Sequence, residues 1–599
     1  MDRILPNRIA IALRGAADWL AAPAATLASY PNHLAAPRPT RTPVPSAPWT
    51  ALFLVLACLV PRLLMAQKID VICVDGVLYL RLAQALEQGV LNPHDSMGMG
   101  LNFFSTILAQ LHRLGLSWEL APKVLGVSLS SLAVLPIFGW VRRQFDDRVA
   151  VVACLLYAVH PDLIEWSPEA MREPTFWFFF ASALYLSWRA IVEVRWGVFL
   201  AAGVAITLST LTRVEGYFLF IPLVWWTVVR WQALQEGRRR LLVGTALTAA
   251  AFPAVLVFVN VAWVGNDSSL AMLRTGPLQR VQWWAKSWIS PDTIDSLPIA
   301  APTGNFSPLP ASPESSHSRV AAAALATAAP VPRMTFGVAL WRYFDRMGRG
   351  LWPPFALLMF GGYFAWRGVF DRRDHLPLAL VGLAIAAGAW IHLWNTQELS
   401  SRYVLTIVVM SLRCAALGWL GMCGWMMRMA AQFRLKPALV AAMPLALLAL
   451  LAVTGWADAL SGDYDNRAAL ANLGRWVRLE YGESCAIVGS ERQLPLVGYY
   501  AHASADVAPR GLAGDAFAKW VEGMHADVVV ISQRHQTPQE YATLLHERER
   551  LGLEIVDPAR MPFALRKTIV LAPVASHSAD KLADKTVADK LPDVARPRR

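Results

Sequence analysis

Long apolar stretches separated by short polar connections dominate the chain. Eleven stand out: Trp49–Ala66, Pro122–Val141, Val149–Val159, Pro174–Trp188, Trp196–Leu211, Tyr217–Val229, Leu241–Val264, Leu351–Trp366, Leu376–Trp394, Tyr403–Met427 and Pro437–Trp456. Crossing a hydrocarbon core about 30 Å thick takes roughly 17 or more apolar residues in a helix. Most of the runs reach or approach that length, and flanking residues extend the third and sixth. The pattern predicts a polytopic α-helical membrane protein with about eleven transmembrane helices over residues 49–456. The period changes after residue 456. Ser484–Val488, Ala526–Ile531 and Leu553–Val556 read as buried strands, with helices at Asp515–Met524 and Pro538–Leu551 between them. Strands alternating with helices predict a small soluble α/β domain over residues 457–573. Residues 1–48 are rich in Ala, Pro and Arg and read as a partly disordered extension. Residues 574–599 repeat Ala-Asp-Lys units and read as a disordered tail.

Charge gives the runs a direction. The chain of 599 residues is 55% hydrophobic and 16% charged, with formal net charge +12. With the N-terminus inside, alternate connections carry Arg142, Arg143 and Arg148; Arg189 and Arg195; Arg230, Arg238, Arg239 and Arg240; Arg367, Arg372 and Arg373; and Arg428, Arg434 and Lys436. The positive-inside rule then explains the basic excess, and no nucleic-acid partner is needed. Two long loops, 67–121 and 265–350, and the C-terminal domain fall outside. For a bacterial plasma membrane, outside is the periplasm. Trp49, Trp118, Trp196, Trp225, Trp226, Trp352 and Trp456 lie near run ends, where an interfacial belt or ordinary core packing would place them. The stretch Trp283–Trp288 reads as an interfacial segment. The six cysteines show no metal-binding or CxxC spacing. The sequence predicts no cofactor and no metal, with a divalent ion as the open alternative.

Polar residues are costly near a bilayer, and apart from the basic clusters most of them gather outside. Asp75 opens a stretch, Gly76–Gln88, whose apolar spacing suits a helix on the membrane surface, and Tyr79 follows. Asp75 reads either as a helix cap or as a carboxylate held for chemistry. The turn from His160 to Pro174 holds Asp162, Glu165, Glu169, Arg172 and Glu173. Within it Ser167-Pro168-Glu169 has the form of a helix start. Arg213 and Glu215 share the turn Thr212–Gly216, as an ion pair or as ligand contacts. Arg402 and Tyr403 precede the tenth run. A guanidinium there can grip a phosphate two-pronged or merely snorkel to the interface.

Taken in order, Asp75 with Tyr79, Ser-Pro-Glu-Ala-Met-Arg-Glu-Pro at 167–174, Leu-Thr-Arg-Val-Glu-Gly at 211–216, Arg402-Tyr403 and a soluble C-terminal domain resemble the GT-C glycosyltransferases. The likeness is to their protein mannosyltransferase and aminoarabinose transferase branch and its bacterial relatives. It runs from about Trp49 to Val570. The resemblance implies a sugar donor on a polyprenyl phosphate and a protein, lipid or glycan acceptor. It gives the role of general base to Asp75. Many relatives have two adjacent acids there, whereas Gly76 follows Asp75 here. Glu165, Glu169 and Glu173 are the candidates for the second acid. Arg402 and Arg213, then Arg81, Arg172 and Lys68, are the candidates for holding the donor phosphate. A lipid-linked glycan ligase or polymerase, and a transporter or flippase, are the competing classes.

Overall fold

A computed structural model describes residues 47–88, 103–264, 334–366, 375–462, 464–482, 485–508, 512, 514–532, 538–558, 561 and 568–573. The extension at residues 1–46, the Trp283–Trp288 stretch, most of the 265–350 loop and the 574–599 tail lie outside these. The chain divides into two compact units. One comprises Met1–Ile69, Leu82–Trp284 and Arg333–Gly462, and the other Asp70–Arg81, Ala285–Pro332 and Asp463–Arg599.

The first unit is a helical bundle. Its helices are α1 (Ala47–Lys68), the later turns of α2 (Val74–Glu87), α3 (Phe103–Arg113), α4 (Leu120–Leu132), α5 (Val134–Gln144), α6 (Asp147–Val159), α7 (Pro161–Glu165), α8 (Glu173–Glu193), α9 (Trp196–Thr212), α10 (Phe220–Ala233), α11 (Arg238–Val264), α12 (Phe336–Leu351), α13 (Pro353–Ala365), α14 (Leu376–Thr396), α15 (Leu405–Gln432) and α16 (Pro437–Ala459). Each of the eleven apolar runs falls on helix. Among the described residues six helices are long and apolar enough to cross a membrane. The protein is an integral, multi-pass membrane protein.

Side chains of α8 such as Phe176, Trp177, Phe180 and Trp188 are fully buried against the rest of the bundle. Trp226 and Trp352, two of the belt candidates, are also core residues, while Trp49 and Trp196 remain exposed. Helices α13 and α15 cross almost backbone to backbone. A Cβ on Gly362 would stand 1.9 Å from the Cys414 carbonyl oxygen, and one on Gly418 equally close to that of Leu358. Small residues permit such crossings where lipid offers no hydrophobic drive between helices.

Arginines collect at one end of the bundle. Glu193, the last residue of α8, meets Arg189 at 2.8 Å, Arg143 at 3.0 Å and Arg195 at 4.0 Å, and Arg142 meets Asp147 at 2.6 Å. The opposite end carries the start of α8 at Glu173 and the end of α9 at Thr212.

The second unit contains α17 (Tyr464–Tyr481), β1 (Ala486–Gly489), α18 (Leu494–Ala501), β2 (Ser504–Val507), α19 (Gly514–Gly523), β3 (Val528–Ser532), α20 (Pro538–Arg550), β4 (Leu553–Ile555) and β5 (Thr568–Pro573). The sheet order is β2-β1-β3-β5-β4. β1 pairs in parallel with β2 and β3, and β5 runs antiparallel to β3 and β4. β3 is buried along its whole length, as its unbroken Val-Val-Val-Ile sequence requires of a central strand. Its neighbours Phe517 and Trp520 on α19 fill the core beside Val529 and Ile531. All six cysteines are free.

Candidate active site

Two arginines and two glutamates meet at the end of the bundle opposite Glu193. The Arg213 guanidinium lies bidentate on Glu215, with Nη2 2.5 Å from Oε1 and Nε 3.1 Å from Oε2. Its Nη1 donates to Oε1 of Glu173. The same Glu173 oxygen lies 3.6 Å from Arg402 Nε. Tyr403 serves both cations with its ring face, 5.2 Å from Arg213 and 5.4 Å from Arg402. Trp166 and Met171 also lie against Arg402, with the Trp166 ring centroid at 6.0 Å and the Met171 sulfur at 3.7 Å. His392 packs on Tyr403, ring centroids 5.0 Å apart.

The charges persist because they are paired. Burial works against the Arg213 cation, but Glu215 and Glu173 outweigh it and raise the pKa. Burial likewise opposes ionisation of Glu215, and Arg213 outweighs it, so that carboxylate falls below its ordinary range. The Arg213 side chain is 4% exposed and that of Arg402 18%. Arg213 is therefore fixed within the protein, whereas Arg402 is the more open of the two to a ligand.

Local sequence explains the assembly. α9 ends at Thr212, Arg213 adopts extended backbone, and a 3-10 turn, Val214–Leu219, folds the chain back. The returning chain runs so close that a Cβ at Gly216 would lie 2.5 Å from the Thr210 nitrogen. Gly216 lets Glu215 curl onto Arg213 two residues away. Pro174 in the first turn of α8 fixes the position of Glu173, and a second 3-10 turn, Ser401–Val404, presents Arg402 and Tyr403.

The expected helix start at Ser167-Pro168-Glu169 is not one. Ser167–Arg172 is irregular, and α8 begins at Glu173. Ser167 is engaged elsewhere, because Arg62 Nε donates to its hydroxyl at 3.1 Å and that hydroxyl donates to the Leu163 carbonyl. Arg62, in the last third of α1 and fully buried, also donates to the carbonyls of Cys58 at 2.9 Å and Tyr157 at 3.5 Å, and lies over the Tyr157 ring. It holds in place the segment leading to Glu173. Sequence reasoning missed Arg62 and His392. The signal for each was one ionisable side chain inside an apolar run.

His160 is buried between Trp352 and Phe355, and burial pushes its pKa down to about 3, so the ring is neutral. Asp162 is driven up to about 7 by burial, and Glu165 and Asp458 add to the rise while a hydrogen bond from Ser401 opposes it. Glu169 is buried, and Arg172 contributes positive field at Glu215. Lys68 is the exposed last residue of α1, where a cation complements the helix dipole. Asp75 lies in the first turn of α2, inside the helix rather than at its cap, with the buried Tyr79 one turn on. Asp75, Tyr79 and Arg81 belong to the second unit. There Arg81 donates to the Ala503 carbonyl at 3.4 Å, and burial lowers its pKa. Among the described residues no group of three His, Cys, Asp or Glu side chains has the geometry to hold a metal ion.

Comparison with known proteins adds to this picture. The family description dolichyl-phosphate-mannose-protein mannosyltransferase matches residues 105–263, which include Glu173, Arg213 and Glu215. The structure of ArnT from Cupriavidus metallidurans bound to undecaprenyl phosphate superposes with TM-score 0.50 and 14% identity, over 89% of this chain and 99% of that one. The chain has the GT-C glycosyltransferase fold. A second GT-C neighbour is the archaeal oligosaccharyltransferase AglB from Archaeoglobus fulgidus, in complex with an inhibitory peptide and a dolichol-phosphate. It has TM-score 0.45 and 16% identity over 84% of this chain and 71% of that one. No curated protein sequence matches the chain.

Proposed function

We propose that the protein is a membrane glycosyltransferase that moves a sugar from a polyprenyl-phosphate donor to an acceptor hydroxyl. The observation that carries this reading is the meeting of Arg213 and Arg402 on Glu173 at the end of a GT-C bundle. A polyprenyl-phosphate sugar is a phosphodiester with one negative charge. When the anomeric carbon–oxygen bond breaks, the departing polyprenyl phosphate gains a second. A guanidinium at that phosphate binds the transition state and product more strongly than the donor, which is what acceleration requires. Arg402, the more exposed cation, contacts the phosphate, and Arg213 with Glu173 and Glu215 fixes its surroundings.

Asp75 accepts the proton of the acceptor hydroxyl as that oxygen attacks the anomeric carbon. One base and one inline displacement give inversion. Glu173 takes up the position of a second acid, as partner to the arginines. The chemistry takes place outside the plasma membrane, with the N-terminus cytoplasmic and the C-terminal domain periplasmic.

The test is sugar transfer in isolated membranes from a panel of radiolabelled polyprenyl-phosphate sugars, with wild type, Asp75→Asn and Arg402→Gln compared at matched expression. Asp75→Asn should abolish transfer and keep donor binding. Arg402→Gln should weaken donor binding by roughly 10- to 150-fold, the loss of hydrogen bonds to a charged group. Product with retained anomeric configuration would overturn the single displacement. No transfer by wild type from any donor would overturn the function.

A further inference from the structure

Helix α12, Phe336–Leu351, has three faces of different character. Ala339 and Gly350 are buried, and Tyr343 donates its hydroxyl proton to the Ala386 carbonyl at 2.9 Å, so this face belongs to the bundle. At about 100° per residue, Phe336, Leu340 and Phe344 form a second edge with Trp341 beside them. All four are exposed, Trp341 by 75% and the two phenylalanines by 62% each. Arg342, Arg346 and Arg349 form the third face, also exposed. Asp345 is the one acid, 3.0 Å from Arg349 and 3.9 Å from Arg346. Three arginines against one aspartate leave the helix basic.

This helix neither crosses a bilayer nor belongs in water. Sixteen residues rise about 24 Å, short of a hydrocarbon core about 30 Å thick, and four of them are charged. Phe336 touches Trp390 and Trp394 of α14 and Phe344 touches Tyr343, with ring centroids 5.6–6.4 Å apart, yet these rings and the Trp341 indole keep most of their surface open, a patch that an aqueous surface does not favour. An apolar edge flanked by arginines fits the boundary between acyl chains and anionic headgroups. The helix leads directly through Trp352 into α13, one of the apolar helices of the bundle.

We propose that α12 is seated in the headgroup layer of the leaflet nearest the charged cluster. Phe336, Leu340, Trp341 and Phe344 enter the acyl chains, and Arg342, Arg346 and Arg349 contact anionic lipid phosphates. The seating reaches the candidate site through direct packing: a Cβ on Gly350 would lie 2.6 Å from the Ser401 carbonyl, and Tyr343 and Tyr403 share one apolar cluster with Leu393 and Leu399. The bilayer surface thereby braces the turn that presents Arg402. The seating itself does not depend on the proposed transferase activity.

The test is site-directed spin labelling of the full chain in liposomes. Labels go on Trp341→Cys, Phe344→Cys and Arg349→Cys, with unsubstituted protein as the labelling blank because none of the six native cysteines is exposed. Relaxation by oxygen is compared with relaxation by a water-soluble nickel chelate. The labels at 341 and 344 should respond to oxygen and resist nickel, and the label at 349 should respond to nickel. Adding phosphatidylglycerol to phosphatidylcholine should move the 341 label deeper, and the Arg342→Gln, Arg346→Gln, Arg349→Gln triple variant should lose that response. Labels at 341 and 344 open to nickel would place the helix in water and overturn the proposal. Labels reached by neither reagent would put another part of the chain on this face and overturn it equally. An identical lipid response in the triple variant would remove the arginines from the phosphates.

Discussion

The turn His160–Glu165 and the group Glu173, Arg213, Glu215 and Arg402 look alike in sequence, as ionisable residues crowded beside membrane helices. Folded, they meet burial in opposite ways. In the turn, charge is suppressed: His160 drops to about 3 and Asp162 climbs to about 7, each driven mainly by burial. In the group, burial also opposes the charges of Arg213 and Glu215, but opposite charges in contact outweigh it and both stay ionised. A low-dielectric site neutralises an isolated charge and retains a paired one. The density of polar residues therefore does not locate a site for an anionic ligand. Pairing keeps guanidinium charge in place, which the proposed contact with a phosphate requires.

The strongest way to break this contrast is Glu173→Ala. The carboxylate sits on both arginines, and losing one partner of a buried pair costs about 3–5 kcal/mol because the other is left uncompensated. The thermal midpoint in detergent should fall sharply. The Glu173→Ala, Arg213→Met double variant should fall by less than the sum of the two single changes, since the orphaned cation is gone. Strict additivity would mean that the two side chains do not hold each other.

What could be read from the sequence follows the same division. The apolar runs were legible because spanning helices need long unbroken stretches, and every one lies on helix. Glu173, Arg213 and Arg402 were each singled out, but not the way one carboxylate joins both arginines. That depends on the fold bringing residue 173 to residues 213 and 402, which no local period encodes. The helix start expected at Ser167 failed because Arg62, more than a hundred residues earlier, takes the hydroxyl that would have capped it. Strands β2 and β5 were missed. Ser-Ala-Asp-Val carries little strand propensity, and β2 is held by parallel pairing with β1. Helix α12 was read as loop, although Phe336, Leu340 and Phe344 recur every fourth residue.

A smaller effect separates the two residues of the turn. An acid whose folded pKa is raised binds more protons folded than unfolded, so its contribution is full below about 3.8 and is lost as pH rises to about 7. A histidine whose folded pKa is lowered does the reverse: its contribution is full above 6.5 and is lost as pH falls toward about 3. Between about 4 and 6.5 the two slopes oppose each other, each about 1.4 kcal/mol per pH unit. Asp162→Asn removes one of them. Relative to wild type, its stability should rise with pH across that window, as followed by thermal midpoints in detergent. Midpoints that track wild type would mean that Asp162 ionises normally and is not buried without compensation.

His160→Phe tests the suppressed side most gently. The ring has no charge at neutral pH and rests edge-on against Trp352 and Phe355, so a phenyl of similar volume should cost less than about 1.5 kcal/mol at pH 7. Relative to wild type, its stability should fall as pH rises from about 4 to 6.5, because the histidine slope is gone while that of Asp162 remains. Sugar transfer at pH 7 should be nearly unchanged. A variant that keeps its thermal midpoint but loses transfer would make His160 a participant in the chemistry. The contrast between suppressed and paired charge would then fail at the residue where suppression is deepest.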